Sequence, residues 1–294
     1  MTSNGRSFTE SARDIFIELP PEDPQSKCGQ TLGKLQKTLH GTRDAPLCWQ
    51  KVVKKLMLKN RFRANTMSPG VFWHPDRDLK IITHVDDFLI AGEKVERVWF
   101  ETQVRKDFEV TVEKAGWGAK DKKQIKFLGR LISFTSCGVE VEDDVKHVQM
   151  LMEEYNMLDC KGVETPGVNH EVNEEREEMS SSAATVFRRC AARLVYMAQD
   201  RGDLSFAAKN AAQRMAKPKV GDDLVIKRAV RYLKAYPRMA LTFKFQEKPK
   251  CLRVYVDADW ANDVDSRRST SGGTIKLGEN TIAWWSKGQS RIAL

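Results

Sequence analysis

Two apolar runs, Leu79-Lys80-Ile81-Ile82 and Phe88-Leu89-Ile90, flank His84-Val85-Asp86-Asp87, and the second closes on Ala91-Gly92. Short β-rich runs on either side of a polar dipeptide specify an antiparallel hairpin with both carboxylates at its tip. On a flat strand neighbouring side chains point to opposite faces, but at a tight turn two successive carboxylates can approach one point. Paired acidic oxygens on a rigid hairpin suit magnesium, which takes few protein carboxylates and fills its other positions with water and substrate phosphates. The chemistry implied is metal-assisted phosphoryl transfer. An Asp pair also suits a plain solvated turn, so the rest of the chain has to choose between the two.

Charge narrows the partner. Lysine and arginine outnumber aspartate and glutamate 49 to 40, a formal charge of +9, which favours an anionic partner without naming it. Distribution says more than the sum: Cys28 to Arg63 holds nine Lys/Arg against Asp44 alone, and Arg201 to Lys234 holds nine against three acids. On predicted helices, two such blocks suit a surface that tracks phosphates, although a solvated basic face has the same composition. The six cysteines, Cys28, Cys48, Cys137, Cys160, Cys190 and Cys251, are scattered, with no Cys-x-x-Cys pair and no histidine at zinc spacing. That is the pattern of reduced thiols in an intracellular protein. No apolar stretch reaches the roughly 18–20 residues that span a bilayer. Met1 to Arg6 lacks the apolar core of a signal peptide, so a soluble chain with no membrane partner is expected.

The length, 294 residues, is enough for about two ordinary domains. Ile15-Phe16-Ile17-Glu18-Leu19 reads as a strand ended by Pro20-Pro21. Asp44 is placed to cap a helix with Pro46 in its first turn; Trp49, Val52, Val53 and Leu56 recur at helical spacing, and the helix stops near Asn60. After the hairpin, Val95 to Lys106 reads as a helix, Phe127 to Phe134 as one strand, and Ser136-Cys137-Gly138 as a turn into Val139-Glu140-Val141. Helices mixed with antiparallel strands give an α+β class. Asp144 to Tyr155 reads as helical. Glu164 to Ser182, rich in acids and serine with no apolar period, reads as a flexible connection. Amphipathic helices follow at about 187–199, 204–217 and 222–234. The chain then returns to β at Leu252–Asp257, Gly273–Lys276 and Thr281–Trp285. Three strands alone make a poor independent domain.

Several separated motifs resemble, in order, those of copia-type retrotransposon Pol polyproteins. Leu39-His40-Gly41-Thr42-Arg43-Asp44-Ala45-Pro46-Leu47-Cys48-Trp49 resembles the family's L-Y-G-L-x-x-A-P-x-x-W segment, Ser68-Pro69-Gly70-Val71-Phe72 its D-P-C-L-F, and His84-Val85-Asp86-Asp87 its Y-V-D-D hairpin. Phe127-Leu128-Gly129 is similar to the strand after the polymerase palm. Arg193 to Ala198, Arg201 to Ala207 and Arg231 to Lys234 are similar to the helical connection. Tyr255-Val256-Asp257-Ala258-Asp259-Trp260-Ala261, Arg267 to Gly272 and Trp285 to Gln289 resemble the opening of the ribonuclease H domain.

The resemblance implies an RNA-directed DNA polymerase region followed by the start of a ribonuclease H. The expected parts are a partial reverse transcriptase palm at 1–143, a helical thumb and connection at 144–250 with the acidic linker at about 160–183, and a ribonuclease H-like β segment at 251–294. It implies magnesium or manganese as cofactor, and RNA template, DNA primer, RNA–DNA hybrid and deoxynucleoside triphosphates as partners. Asp86 would be a metal ligand and Asp87 a second ligand or an electrostatic support. Asp257 would be the first carboxylate of the ribonuclease H metal site, with Asp259 two residues on along the same strand. Gly41, Arg43, Ala45 and Pro46 would shape the loop and helix near template and incoming nucleotide, and Phe127, Leu128 and Gly129 would lie near the primer end. His84 stands where the family has Tyr. Trp260, Trp284 and Trp285 are expected in the core. The resemblance also implies a further carboxylate near Met1 to Ser3, where the sequence has Met-Thr-Ser, and more ribonuclease H carboxylates beyond Leu294. Efficient catalysis by these residues alone is therefore not expected, and the alternative is a remnant that binds nucleic acid through the basic blocks without chemistry.

Overall fold

The computed structural model describes residues 2–3, 14–29, 31–37, 42–167, 177–261, 263 and 266–292. They divide into two units, Met1–Lys114 and Ala115–Leu294. In chain order the first unit holds β1 (Thr2–Ser3), β2 (Phe16–Glu18), a single helical turn α1 (Pro24–Lys27), β3 (Leu32–Lys34), α2 (Ala45–Lys59), β4 (Arg63–Ala64), β5 (Val71–Trp73), β6 (Lys80–His84), β7 (Asp87–Ala91), α3 (Lys94–Asp107) and β8 (Val110–Thr111). Six of these strands form an antiparallel sheet in the order β4-β5-β6-β7-β1-β8, and β2 pairs with β3 separately.

Period-two patterning gives this sheet its inner face. Ile81 and Phe88 are buried, while their neighbours Ile82 and His84 are exposed. Helical periodicity supplies the cover: Trp49, Val53, Leu56 and Met57 of α2 and Phe100 and Val104 of α3 join Phe62, Phe72, Leu79, Ile81 and Phe88 in one core. Helix α2 starts and stops where the sequence predicts, but not by the predicted cap. Asp44 holds the N-cap position in a helical conformation and makes no capping hydrogen bond. Pro46 suits the first turn because its missing N–H would have no partner there.

The second unit holds β9 (Gln124–Phe127), β10 (Arg130–Thr135), β11 (Gly138–Glu142), α4 (Lys146–Glu154), α5 (Ser181–Met197), α6 (Ser205–Gln213), α7 (Asp223–Ala235), β12 (Ala240–Lys244), β13 (Leu252–Ala258), β14 (Arg268–Leu277) and β15 (Asn280–Ile292). Its sheets run β12-β11-β10-β9 and β13-β14-β15. The four helices bury one apolar cluster that includes Leu151, Phe187, Cys190, Leu194, Met197, Leu204, Ala207, Ile226 and Leu233. The class is α+β, as the sequence indicates.

Several local expectations are corrected. Phe127 to Phe134 is a hairpin, not one strand, because Leu128 and Gly129 both adopt positive φ, 51° and 76°. Two such residues make the tight primed turn that matches strand twist. Strand β12, not foreseen, pairs with β11 from a hundred residues earlier, setting Phe243 opposite Val139. The serine run belongs to α5, whose N-cap Ser180 accepts from the Ala183 N–H at 3.3 Å; residues 168–176 of the expected connection lie outside the described residues. The β segment from 252 onward is fastened to the helices: the Trp284 indole donates to the Ala198 carbonyl at 2.9 Å, and Lys209 Nζ to Thr270 Oγ1 at 2.9 Å. Trp260, expected in the core, is 75% exposed.

Candidate functional site

The carboxylate hairpin forms as its sequence predicts. His84 pairs with Asp87, Thr83 with Phe88, Ile82 with Leu89 and Ile81 with Ile90, leaving Val85-Asp86 as a two-residue turn. Because Ile81 and Phe88 pack with α2 and α3, the pleat sets His84, Asp87, Ile82 and Leu89 on the face opposite those two helices. Val85 holds φ at 48°, a strained conformation for a β-branched residue, of the kind that persists only where surroundings enforce it. One enforcing contact is visible. The Trp49 indole N–H, from α2, donates to the Val85 carbonyl, so the Ala45-Pro46-Leu47-Cys48-Trp49 segment reaches the turn across the core. Gly70 supports the same strand: its carbonyl accepts from Thr83 N at 2.8 Å, and a Cβ on it would meet the Thr83 carbonyl oxygen at 2.7 Å.

Asp86 and Asp87 are half-buried. Among the described residues neither carboxylate has a side-chain hydrogen bond or an ion pair, so two adjacent negative charges stand without a protein cation. An all-oxygen donor pair of this kind fits magnesium or manganese, with the remaining positions left to water and phosphate oxygens. Among the described residues no three His, Cys, Asp or Glu side chains come together to hold a metal. Strand β1 runs beside β7 with Thr2 opposite Asp87, which puts the start of the chain next to the acidic pair.

The other sequence-selected residues are dispersed. Gly41 lies outside the described residues. Arg43 and Pro46 are exposed and Ala45 half-buried at the start of α2. Phe127, Leu128 and Gly129 belong to the second unit, where their turn is pinned by Arg130, whose guanidinium donates to Asp200 at 2.7 Å. Asp143 neighbours this pair. Its Oδ1 accepts from the Asp144 N–H, while Oδ2 is buried without a partner, as is Oδ2 of Asp200. Burial and the Asp200 charge push the Asp143 carboxyl up, against the pull of His147 and Arg130. A raised acid binds its proton more tightly folded than unfolded, so its contribution is full below the ordinary value of 3.8 and is lost as pH climbs through the native value. Asp143→Asn is therefore expected to raise Tm at pH 7, by roughly 2–4 °C if relieving the orphaned oxygen is worth about 1 kcal/mol. The gain shrinks toward pH 4. Thermal unfolding of both proteins across pH 4–8 measures it, and a gain that grows on acidification contradicts the assignment.

Asp257 is exposed on β13 and accepts from the Ala258 N–H at 2.9 Å. Asp259 is engaged structurally: its carboxylate accepts from Thr270 N at 2.6 Å and its own N–H donates to the Thr270 carbonyl at 3.1 Å.

The two basic blocks separate on inspection. In the second, Arg201 bonds Asp203 and the Tyr236 carbonyl, Arg214 pairs with Asp222, Lys227 with Asp223, and Arg228 and Arg231 donate to Thr165 and the Lys161 carbonyl. These cations hold the fold together. In the first block, Lys51, Lys54 and Lys55 project from α2 into solvent. Charge counting cannot make this distinction, because it is blind to what each cation touches.

A family model described as "Reverse transcriptase (RNA-dependent DNA polymerase)" matches residues 8–169. The chain is similar to the "Retrovirus-related Pol polyprotein from transposon RE1" of Arabidopsis thaliana, 26% identical over 283 residues, covering 95% of this chain and 19% of that protein. The corresponding polyprotein from transposon TNT 1-94 of Nicotiana tabacum is 24% identical over 291 residues, 96% and 21% of the two chains. The "Putative transposon Ty5-1 protein YCL074W" of Saccharomyces cerevisiae is 22% identical over 287 residues, 96% and 90%. The chain thus spans about a fifth of the length of the Pol polyproteins it matches. No solved structure matches it. With more than half of its residues under the family model, and similarity to transposon polyproteins along nearly its whole length, this chain belongs to the reverse transcriptase family of copia-type retrotransposon Pol polyproteins.

Proposed function

We propose that the first unit is the catalytic palm of an RNA-directed DNA polymerase, acting on a DNA primer annealed to an RNA template with deoxynucleoside triphosphates as substrate. The carrying observation is the hairpin of Lys80–Ala91, which holds Asp86 and Asp87 in succession, with no ion pair among the described residues, on a turn tied to α2. Asp86, with Asp87 beside it, would hold magnesium or manganese, which when bound lowers the barrier by charge-stabilising both the attacking 3′-hydroxyl and the departing pyrophosphate. His84 and Asp87 share the sheet face opposite α2 and α3, the face this reading gives to the incoming strand. Thr2, opposite Asp87, marks the strand from which a further carboxylate would join the pair, and Met1 to Ser3 contain none. In this reading β9–β12 and the helices serve as thumb and connection, the Phe127-Leu128-Gly129 turn meets the primer end, and β13–β15 with Asp257 open a ribonuclease H-like domain acting on RNA–DNA hybrid.

Primer extension on an RNA template, with magnesium and with chelator, tests this on the chain and on a form extended upstream through its reading frame. Metal-dependent incorporation by the extended form is expected. Binding of the primer–template without any incorporation by either form would sink the enzymatic reading.

The turn's tether makes a second prediction. Trp49→Phe keeps an aromatic ring but removes the donor to the Val85 carbonyl and trims the buried indole, so it should cost about 1–3 kcal/mol of stability. It should also slow extension more than it weakens primer–template binding, since a loosened Val85 misplaces Asp86 by fractions of an ångström. Unfolding curves and single-turnover extension read the two effects; equal losses in binding and turnover would contradict the positioning role.

A further inference from the structure

We propose that the solvent face of α2 is a second nucleic-acid track, separate from the carboxylate site, that holds a single strand by its phosphates through Lys51, Lys54 and Lys55. The choice of nucleic acid as the polyanion rests on the function proposed above. Helical spacing places these three lysines together, turned away from Trp49, Val53, Leu56 and Met57, which are buried against the sheet. The helix carries no acidic residue. Lys59, at its end, pairs with Asp107, and Lys34 and Arg61 of the same basic block pair with Asp14 and Asp76. Among the described residues, Lys51, Lys54 and Lys55 have no such partner. Like charges one turn apart destabilise a helix by a few tenths of a kcal/mol each, and a bound polyanion reverses that sign.

The geometry favours a phosphate backbone. Lys51 and Lys55 are about 6 Å apart along the axis, a step that a strand bearing one charge per roughly 3.4 Å can match. Exposed Leu47 and Leu58, at 53% and 54%, lie on the same face at its two ends and offer apolar contact to sugars or bases. The track cannot be the wall of the carboxylate site. Helix α2 covers the sheet face that carries Ile81 and Phe88, whereas His84 and Asp87 lie on the opposite face, so a helix layer about 10 Å thick separates the lysines from them. The strand held here is therefore one running outside the reaction centre.

The test is metal-free binding of a fluorescent single-stranded RNA 20-mer to the full chain at several salt concentrations. The triple variant Lys51→Gln, Lys54→Gln, Lys55→Gln keeps helix propensity and should bind at least 10-fold more weakly near 0.1 M salt. Its slope of log affinity against log salt should be shallower by about 2, the value for three lost contacts to a single strand. The Lys→Arg triple should restore both. This binding is read without metal, primer or nucleotide, whereas the polymerase reading is judged by metal-dependent extension, so failure of the polymerase reading and failure of the track are read separately. An unchanged affinity and slope in the Gln triple, with the fold intact by circular dichroism, overturns the proposal. So does wild-type binding to phosphatidylserine vesicles without binding to RNA.

Discussion

Asp86→Asn and Asp87→Asn should each lower metal-dependent primer extension by the upstream-extended form by at least about 100-fold, with the thermal unfolding of the protein unchanged within about 0.5 kcal/mol. The amide keeps the size of the side chain and removes its charge. Since neither carboxylate bonds another described side chain, no structural contact is lost. What is lost is the anionic pair that would hold a divalent cation against the reacting phosphate, and preorganised charge at that point is usually the largest single catalytic term. A second readout separates the metal from the chemistry. Manganese at millimolar concentration should raise the Tm of the wild-type chain by linkage, and should raise it less in either variant. Extension within about threefold of wild type in both variants would remove Asp86 and Asp87 from the site.

The hairpin was readable because a two-residue turn between period-two apolar runs leaves one register that buries Ile81 and Phe88. Helix α2 was readable for the same kind of reason, through the spacing of Trp49, Val53 and Leu56. What the sequence concealed was long-range. Nothing local indicates that the Trp49 indole would reach the Val85 carbonyl, 36 residues on, or that β12 would complete a sheet begun at β9. Leu128 at positive φ was concealed for the opposite reason: leucine carries no turn signal, and only the pairing of Phe127 with Arg130 reveals the bend. The basic block from Arg201 to Lys234 misleads most, since its composition equals that of a binding surface while its guanidinium groups are spent on carboxylates and carbonyls of the same unit. That contrast is what singles out Lys51, Lys54 and Lys55.

Asp203→Ala should be the most destabilising single substitution in the second unit, at about 3–5 kcal/mol, the range for removing one partner of a buried ion pair. Arg201 is 2% exposed. Its guanidinium donates to Asp203 at 2.7 and 3.0 Å and to the Tyr236 carbonyl at 3.1 Å, and the Tyr232 hydroxyl donates to the same carboxylate at 2.8 Å. Burial, with Asp203 accepting from it, pushes the Tyr232 phenol up, so the hydroxyl remains a donor. The network joins the end of α5 to α7, and the Trp284 ring closes over it at Gly202, where a Cβ would lie 3.1 Å from the indole. Losing the carboxylate leaves a buried guanidinium hydrogen-bonded to the Tyr236 carbonyl, with Glu142, already paired to Arg238, as its nearby charge, and strands the tyrosine hydroxyl as well. A unit of 180 residues shifts its Tm by about 2–4 °C per kcal/mol, so a fall of roughly 10 °C is expected. Tyr232→Phe should cost only about 1 kcal/mol, and Arg201→Met combined with Asp203→Leu should recover most of the loss, because an apolar pair of similar volume leaves no charge uncompensated. If Asp203→Ala unfolds within 2 °C of wild type, or if the apolar double variant is worse than the single one, the stability of these helices does not rest on the Arg201–Asp203 pair.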